Sequence, residues 1–279
     1  MDNGIYWIVS YPKSGNTWCR MILNNYIANL NEPLNINHLN TKFISSNRKF
    51  FDEIIGLSSS DMSEDEIKLY QPEVYKELIK NTNEDLFIKV HDAYIFNKDN
   101  KPIFPEEITK GVIYIVRNPL DVVVSYANHM DETIENTIKI LNNKTHTLDI
   151  QFDELNIRLP QFLGDWSFNV NSWLDSKLPI HLIKYEDMLD NTFSTFYKTL
   201  EFLGFDIDTK RLQKAIDFSS FKELQKQEKI HGFIEKSPKT KKFFNSGKKD
   251  IFKEHLTEKQ IKYIVYNNFH LMKKLNYIH

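Results

Sequence analysis

The sequence predicts an α/β fold in which a central parallel β-sheet is flanked by helices on both faces. Two observations predict it: short, mostly apolar and β-branched runs recur along the chain, and helical patterns lie between them. The 279 residues, 41% hydrophobic and 13% aromatic, are enough for one large domain with a substantial core. Because no internal repeat and no Pro- or Ser-rich linker interrupts the pattern, we expect a single domain over residues 1–279.

Four runs are predicted to form the strands of this sheet. The first is an apolar stretch that contains Tyr6 and Trp7 and breaks at Pro12, as a buried strand that ends in a turn does. The other three share its apolar, β-branched character. The predicted strands are Ile5–Ser10, Leu86–Val90, Val112–Val116 and Ile180–Lys184.

Capping residues mark the helices between and after these strands. Two capping boxes, a proline in a first turn and a glycine after a last turn supply the signals. Five helices are predicted. The first starts at Thr17, the second runs from Ser63 to about Lys80, and the third starts at Pro119. The fourth runs from Asn191 to Leu203, and the fifth from Thr257 to about Lys274. The segments 142–160 and 227–249 show no clear pattern, and we expect them to be flexible.

Charge and composition limit the function classes. The net charge of −2 gives no overall attraction to nucleic acid or to acidic membranes, so any anion site must be local. The single cysteine, Cys19, cannot form an internal disulfide, and the nine histidines lack metal-ligand spacing. No apolar run approaches the roughly 18 residues that span a bilayer. Since the first strand begins near Ile5, we expect no signal peptide and a cytoplasmic protein.

The stretch IVSYPKSGNTW, residues 8–18, joins the first strand to the first helix. Such a loop presents backbone N–H groups and the positive end of a helix dipole, which suits an anion, and Lys13, Ser14 and Thr17 add donors. On its own, such a turn is also found as a plain connection. Lys13 precedes Gly15 instead of following a glycine, unlike the common loop G-x-x-x-x-G-K-[ST]. This order argues against a kinase and leaves phosphate binding open.

Polar side chains also follow the other predicted strands. In open α/β sheets the ligand lies beyond the carboxyl ends of the strands. Lys89 and His91 come at the end of the second strand, Arg117 after the third, with Ser125 two helical turns on, and Tyr185 after the fourth. A cation at a helix N-terminus, as at Arg117, is unfavourable without an anion beside it. We therefore expect these residues to converge on one crevice for a small anionic substrate or cofactor, most simply a phosphate ligand that is anchored at two places.

Five motifs in this order resemble the cytosolic-type sulfotransferase family, and together they span nearly the whole chain. They are YPKSGNTW (Tyr11–Trp18), KVH (Lys89–His91), RNPLDVVVSY (Arg117–Tyr126), KYEDM (Lys184–Met188) and SSFKEL (Ser219–Leu224). The opening GIYWIVSYPKSGNTW looks especially like bacterial enzymes that sulfate natural-product scaffolds such as glycopeptides. The resemblance implies a P-loop-like fold, 3′-phosphoadenosine 5′-phosphosulfate (PAPS) as sulfuryl donor, adenosine 3′,5′-bisphosphate (PAP) as product, and no metal.

The resemblance also implies roles for single residues. His91 matches the catalytic base, with Lys89 beside it, and Lys13 matches the lysine that supports the departing phosphate. Arg117 and Ser125 match the pair that grips the 3′-phosphate. The residues that match the phosphosulfate loop and the adenosine site are Lys13, Ser14, Gly15, Asn16, Thr17, Trp18, Tyr185, Ser219 and Phe221.

The C-terminal motif of the family departs from its usual form in this chain. The family has a basic pair followed by glycine, whereas Asn245, Ser246 and Gly247 occupy these positions here. Neutral donors thus replace the two cations that usually help to hold the 3′-phosphate, and Lys248 and Lys249, just after, are possible substitutes. The family's short dimerisation signature is not evident, so the sequence does not predict an oligomeric state.

Three interpretations follow. The first is a sulfotransferase that moves a sulfuryl group in line to a hydroxyl or amine of a small aromatic or apolar acceptor, with His91 as general base. The second is a P-loop small-molecule kinase, which should carry a strand-end carboxylate for Mg²⁺ where this chain has Arg117. The third is a catalytically silent nucleotide-binding protein, which has no need of His91. Neither nucleic acid nor a membrane is an expected partner.

Overall fold

The computed structural model describes residues 3–39, 43–149, 157–236, 240, 242–245 and 247–278. The strands are β1 (Ile5–Ser10), β2 (Phe43–Ile44), β3 (Leu86–Val90), β4 (Thr109–Val116), β5 (Thr147–Leu148), β6 (Gln161–Phe162) and β7 (Ile180–Lys184). The helices are α1 (Asn16–Ala28), α2 (Arg48–Ile55), α3 (Glu64–Lys80), α4 (Pro119–Met130), α5 (Ile134–Leu141), α6 (Trp166–Leu174), α7 (Tyr185–Asp190), α8 (Thr192–Phe202), α9 (Thr209–Phe218), α10 (Phe221–His231), α11 (Phe252–His255) and α12 (Glu258–Lys274).

A five-stranded sheet with the order β2-β3-β1-β4-β7 forms the centre of the fold. β1 pairs with β3 in parallel, so that Ile5 lies opposite Leu86 and Val9 opposite Val90, and β2 pairs with β3 in parallel as well. Apart from Tyr6, β1 is buried on both faces, as expected of a central parallel strand covered by helices. The predicted α/β class with a parallel sheet is confirmed. β5 and β6 form a separate antiparallel pair.

The capping residues predicted from the sequence lie at the starts of helices in the structure. Ser63 accepts a hydrogen bond from the Glu66 N–H, and the Glu66 carboxylate accepts one from the Ser63 N–H, which completes a capping box at α3. Thr257 and Gln260 form the same arrangement at α12. Pro119 is the first residue of α4. An N–H at this position makes no hydrogen bond within the helix, so a proline, which lacks the N–H, fits there.

The chain divides into two compact units. Unit 1 comprises Met1–Tyr11, Phe43–Tyr114 and Asn143–His181, and unit 2 comprises Pro12–Lys42, Ile115–Asn142 and Leu182–His279. In the core of unit 1, the ring of Trp7 packs edge-on against those of Tyr75 and Phe104, with 5.0 Å between centroids in both pairs. A cluster in unit 2 joins α1 to α10 through Met21 and Leu224. The single domain over residues 1–279 stays a prediction.

The two segments predicted to be flexible fall partly outside the described residues. In the first, Thr147–Leu148 forms β5, and residues 150–156 are not described. In the second, residues 227–231 belong to α10, which continues its helical pattern as far as His231. Residues 237–239, 241 and 246 of that segment are not described. Among the helices of the described ranges, none combines the length and the apolar character that crossing a bilayer requires.

Candidate active site

The loop after β1 leaves the start of α1 available to an anion. Lys13 and Gly15 both have positive φ, 67° and 103°, which turns the chain sharply into the helix at Asn16. Gly15 is the N-cap residue, no side chain caps the helix, and no acidic residue lies in its first turn. The first N–H groups of α1 and the positive end of its dipole therefore favour a negatively charged ligand.

Gly15 lies against the ring of Tyr185. A Cβ atom at Gly15 would lie 2.6 Å from Tyr185 Cδ2, so no other residue fits here without moving that ring. Trp18 meets the same ring edge-on, at 6.0 Å between centroids, and its Nε1 donates to the backbone oxygen of Ser219 at 3.0 Å. Four residues that the sequence assigned to nucleotide binding are thus neighbours in unit 2.

Arg117 connects this group to the loop. Its Nη1 donates to the backbone oxygen of Lys13 at 3.1 Å, its Nη2 donates to that of Lys248 at 3.0 Å, and its guanidinium lies 4.3 Å above the Tyr185 ring centre. Burial raises the pKa of the Tyr185 hydroxyl, although the Arg117 charge opposes this. Stacking and two carbonyl acceptors therefore fix the orientation of the Arg117 cation.

Two buried donors at this loop, Ser14 Oγ and Arg117 Nε, are among the donors of unit 2 that lack an acceptor in the described part of the chain. The Ser14 side chain is only 1% exposed, and a buried polar group without a partner costs roughly 1–3 kcal/mol. Lys13 adds a cation, whose Nζ lies 4.0 Å from the Phe243 ring centre. A set made of a hydroxyl, a guanidinium, an ammonium and helix N–H groups suits an oxyanion such as a phosphate.

Two further residues that match the adenosine site, Ser219 and Phe221, also belong to unit 2. Ser219 is fully buried, and its Oγ accepts from Asn25 Nδ2 at 3.0 Å. Phe221 begins α10 and packs against Gly247, where a Cβ atom would lie 2.7 Å from the Phe221 ring. Gly247 also has a φ of 59°, so that both its conformation and the close ring favour glycine.

The remaining predicted nucleotide residues are placed as follows. Thr17 lies in the first turn of α1, and Ser125 lies on α4, two turns after Arg117. Asn245 is exposed, and its backbone oxygen accepts from Gln225 Nε2 at 3.1 Å. Ser246 lies outside the described residues, so its predicted role stays a prediction.

The two remaining candidates, Lys89 and His91, belong to unit 1. His91 Nδ1 lies 2.7 Å from the backbone oxygen of Ser10. A carbonyl oxygen only accepts hydrogen bonds, so Nδ1 carries the hydrogen, and the lone pair of the neutral ring is on Nε2. Lys89 is buried near the end of β3, two residues before His91. The ring of His91 is thus held in the tautomer that takes up a proton at Nε2. That these residues share one crevice with those of unit 2 stays a prediction.

Asn169 on α6 supports His91, and sequence analysis missed it. It is fully buried, donates to the His91 backbone oxygen at 3.0 Å and to that of Leu163 at 3.1 Å, and accepts from the Tyr114 hydroxyl at 2.7 Å. An asparagine inside the run WSFNVNSW gives no signal of this, because its partners are distant in the sequence. Its place in the polar network of unit 1 follows only from the fold.

Two carboxylates, the half-buried Glu186 and the buried Asp121, lie at the start of α4. Glu186 accepts from the Asn118 N–H at 3.0 Å and from the Tyr277 hydroxyl at 3.1 Å. Burial raises the pKa of Glu186 and of Asp121, and the Arg117 charge opposes the rise in both cases. Among the described residues, no group of three or more His, Cys, Asp or Glu side chains is arranged to hold a metal ion.

The family model for the sulfotransferase domain matches residues 5–275 of this chain. The chain belongs to the sulfotransferase family. Luciferin sulfotransferase of Photinus pyralis is 24% identical over 273 residues, which cover 91% of this sulfotransferase and 68% of that protein. Flavonol 3-sulfotransferase of Flaveria bidentis is 22% identical over 275 residues, which cover 92% of this chain and 78% of that protein.

Solved structures show the same fold. The crystal structure of mouse sulfotransferase SULT7A1 complexed with PAP has a TM-score of 0.62 to this sulfotransferase at 21% identity, and the match covers 98% of this chain and 84% of that one. The predicted family, fold class and enzyme class are confirmed. The two alternative interpretations, a P-loop kinase and a catalytically silent nucleotide-binding protein, are therefore set aside. The roles of the single site residues stay predictions.

Proposed function

We propose that this sulfotransferase moves a sulfuryl group from PAPS to a hydroxyl or amine of a small aromatic or apolar acceptor, with His91 as general base. The observation that carries the proposal is the His91 Nδ1 contact with the Ser10 oxygen at 2.7 Å, which gives the ring a basic Nε2. Ser10 lies three residues before Lys13 in the chain, so the residue that orients the base directly precedes the predicted phosphate loop.

The donor set of unit 2 supports PAPS as the donor. When bound, PAPS supplies the sulfuryl group on a phosphate leaving group. Ser14 Oγ and Arg117 Nε, both buried without acceptors in the described residues, fit the phosphate oxygens of this cosubstrate. Lys13 and the N–H groups at the start of α1 stabilise the negative charge that the leaving phosphate gains, and fixed donors of this kind act mainly on the transition state.

The geometry around Trp18 supports an adenosine site. Its ring is held by the hydrogen bond to the Ser219 oxygen and by the edge contact with Tyr185, so it offers a fixed aromatic surface on which adenine stacks. Phe221 and Gly247 add a second close-packed contact in the same unit. We assign the adenosine of PAPS to these residues.

The acceptors named for the relatives support an aromatic or apolar acceptor. The named acceptors of the relatives, luciferin and flavonol, are aromatic compounds that carry hydroxyl groups. We therefore propose a small acceptor of this chemistry, and a cytoplasmic location for the reaction.

Binding and transfer measurements test the proposal. Calorimetry in the presence of EDTA should show that PAP binds at least about 10-fold more tightly than AMP, since the 3′-phosphate adds charge-assisted hydrogen bonds. Sulfate transfer from labelled PAPS should then be detected with members of a phenolic acceptor panel. Equal affinity for PAP and AMP, or tighter binding of ATP with Mg²⁺, would contradict the proposed donor.

A further inference from the structure

Arg20 on α1 is a buried cation close to the loop that follows β1. It lies three residues after Thr17 on the same helix, and only 1% of its side chain is exposed. Its Nη2 donates to both oxygens of the Glu235 carboxylate, at 2.7 and 2.9 Å. The same nitrogen lies 3.5 Å from Thr17 Oγ1. A largely buried ion pair therefore stands next to a residue that matches the phosphosulfate loop.

A turn after α10 brings the Glu235 carboxylate to α1. Gly232 ends α10 with a φ of 68°. The Asn37 side chain then holds the turn on both sides, because its Nδ2 donates to the Gly232 backbone oxygen at 3.2 Å and its Oδ1 accepts from the Ile234 N–H at 2.9 Å. Contacts within unit 2 thus fix the position from which Glu235 meets Arg20.

Stability alone does not account for this ion pair. Removing an arginine and a carboxylate from water costs about as much free energy as their attraction returns, so apolar residues of similar volume are often equally stabilising or more so. The Arg20 Nε is also buried and has no partner among the described residues. The pair is better explained by its effect on the neighbouring Thr17.

The Arg20 guanidinium orients the Thr17 hydroxyl. Arginine offers only hydrogen-bond donors, so the lone pairs of Thr17 Oγ1 face Arg20 and the hydroxyl hydrogen points away from it. Thr17 is 7% exposed and lies in the first turn of α1, where the helix N–H groups favour an anion. The hydroxyl is thereby set as a donor at the end of the helix that suits a phosphate.

We propose that Arg20 is a positioning residue that, held by Glu235, directs the Thr17 hydroxyl to the 5′-phosphate of the nucleotide. The inference rests on the proposed function, because it presumes that PAPS and PAP are the ligands. Arg20 acts through Thr17 and does not itself touch the ligand. Because Glu235 balances its charge, Arg20 contributes direction and not net charge to the site. The turn after α10 thereby controls phosphate binding at the start of α1.

A double substitution tests the inference without leaving a lone buried charge. Arg20→Met with Glu235→Leu replaces the ion pair by apolar side chains, which should keep the melting temperature near that of the wild type or above it. Calorimetry should nevertheless show that PAP and AMP each bind about 10-fold more weakly, because both carry the 5′-phosphate that loses a charge-assisted hydrogen bond. The ratio of the two affinities should stay that of the wild type. Arg20→Gln with Glu235→Gln is the polar version of the same test.

Thr17→Val shows whether Arg20 acts through the hydroxyl. On its own it should weaken PAP binding by about 10-fold. When the Arg20→Met and Glu235→Leu substitutions are added to it, the PAP affinity should change by less than about 2-fold, because the hydroxyl that Arg20 orients is already absent. A loss of general packing would instead add to the effect of Thr17→Val.

Arg211→Gln is the matched control, because Arg211 binds the other end of α1. Its Nε donates to the backbone oxygen of Tyr26 at 2.5 Å and its Nη2 to that of Ile27 at 2.9 Å. This variant should lose stability and keep the wild-type nucleotide affinity. Wild-type affinity in Thr17→Val or in a folded double variant, an equal loss in Arg211→Gln, or additive losses overturns the inference. A wild-type protein without any preference for PAP over AMP would instead overturn the proposed function.

Discussion

Asp92→Asn should remove a loss of stability that this sulfotransferase undergoes as the pH rises. The Asp92 carboxyl is buried, its Oδ1 accepts from the Phe162 N–H at 3.0 Å, and its Oδ2 has no partner in the described residues. Burial raises the pKa of this carboxyl to about 7, against about 3.9 in an unfolded chain. Because the folded pKa is the higher one, the protonated form stabilises the fold below about pH 4, and this stability is lost as the pH rises through 7.

The size of the effect follows from the two pKa values. A difference of about three pH units at about 1.36 kcal/mol each makes the contribution about 4 kcal/mol, lost between pH 4 and pH 8. The asparagine amide is neutral throughout and still accepts from Phe162. Urea unfolding of both proteins between pH 4.5 and 8 should therefore show the variant gaining on the wild type as the pH rises. Asp99→Asn, at an exposed position, is the control, and parallel curves for Asp92→Asn and wild type would refute the reasoning.

Three further outcomes concern the site. Ser14→Ala should stabilise the nucleotide-free protein by about 1 kcal/mol, because it removes a buried hydroxyl that has no partner in the described residues. The same substitution should weaken PAP binding. Thermal unfolding and calorimetry measure the two effects, and a lower melting temperature of the variant would contradict the first. Gly15→Ala should lower the free energy of unfolding by about 1–2 kcal/mol because of the φ of 103° alone. It should also lower the PAP affinity, because the new Cβ displaces the Tyr185 ring, and an unchanged affinity would contradict this. Asn169→Ala should lower the free energy of unfolding in urea by about 2–4 kcal/mol and reduce the transfer rate more than the PAP affinity. Equal losses of rate and affinity would contradict the idea that Asn169 acts by positioning His91.

The strands and capped helices were predictable because their signals are local. Three of the four predicted strands have the same bounds in the structure, and both capping boxes form. β4 begins at Thr109 and not at Val112, because the polar Thr109 and Lys110 obscure its start in the sequence. Thr109 Oγ1 accepts from Trp7 Nε1 at 2.8 Å, a contact between residues about a hundred positions apart. β2 is two residues long, too short for any pattern.

The site residues that come directly after a strand could be predicted from the sequence. The loop around Gly15, together with Arg117 and Tyr185, was located by its position after β1, β4 and β7, and the structure brings these residues into contact within unit 2. The supporting residues Asp121 and Asn169 were not predictable, because their partners lie far along the chain. Asp121 and Asn169 act through backbone atoms of distant segments, which no spacing rule identifies.

The most direct test of the account is a pair of measurements on His91→Ala: PAP affinity by calorimetry, and sulfate transfer from labelled PAPS to a phenolic acceptor panel. The account predicts nearly unchanged PAP affinity, because the proposed nucleotide residues belong to unit 2. It predicts that transfer falls by about 10²-fold or more, the range for a positioned general base. Lys13→Ala, the comparison variant, should lower both quantities. A folded His91→Ala protein that binds PAP and transfers sulfate at a near wild-type rate would contradict the assignment of His91 as the base.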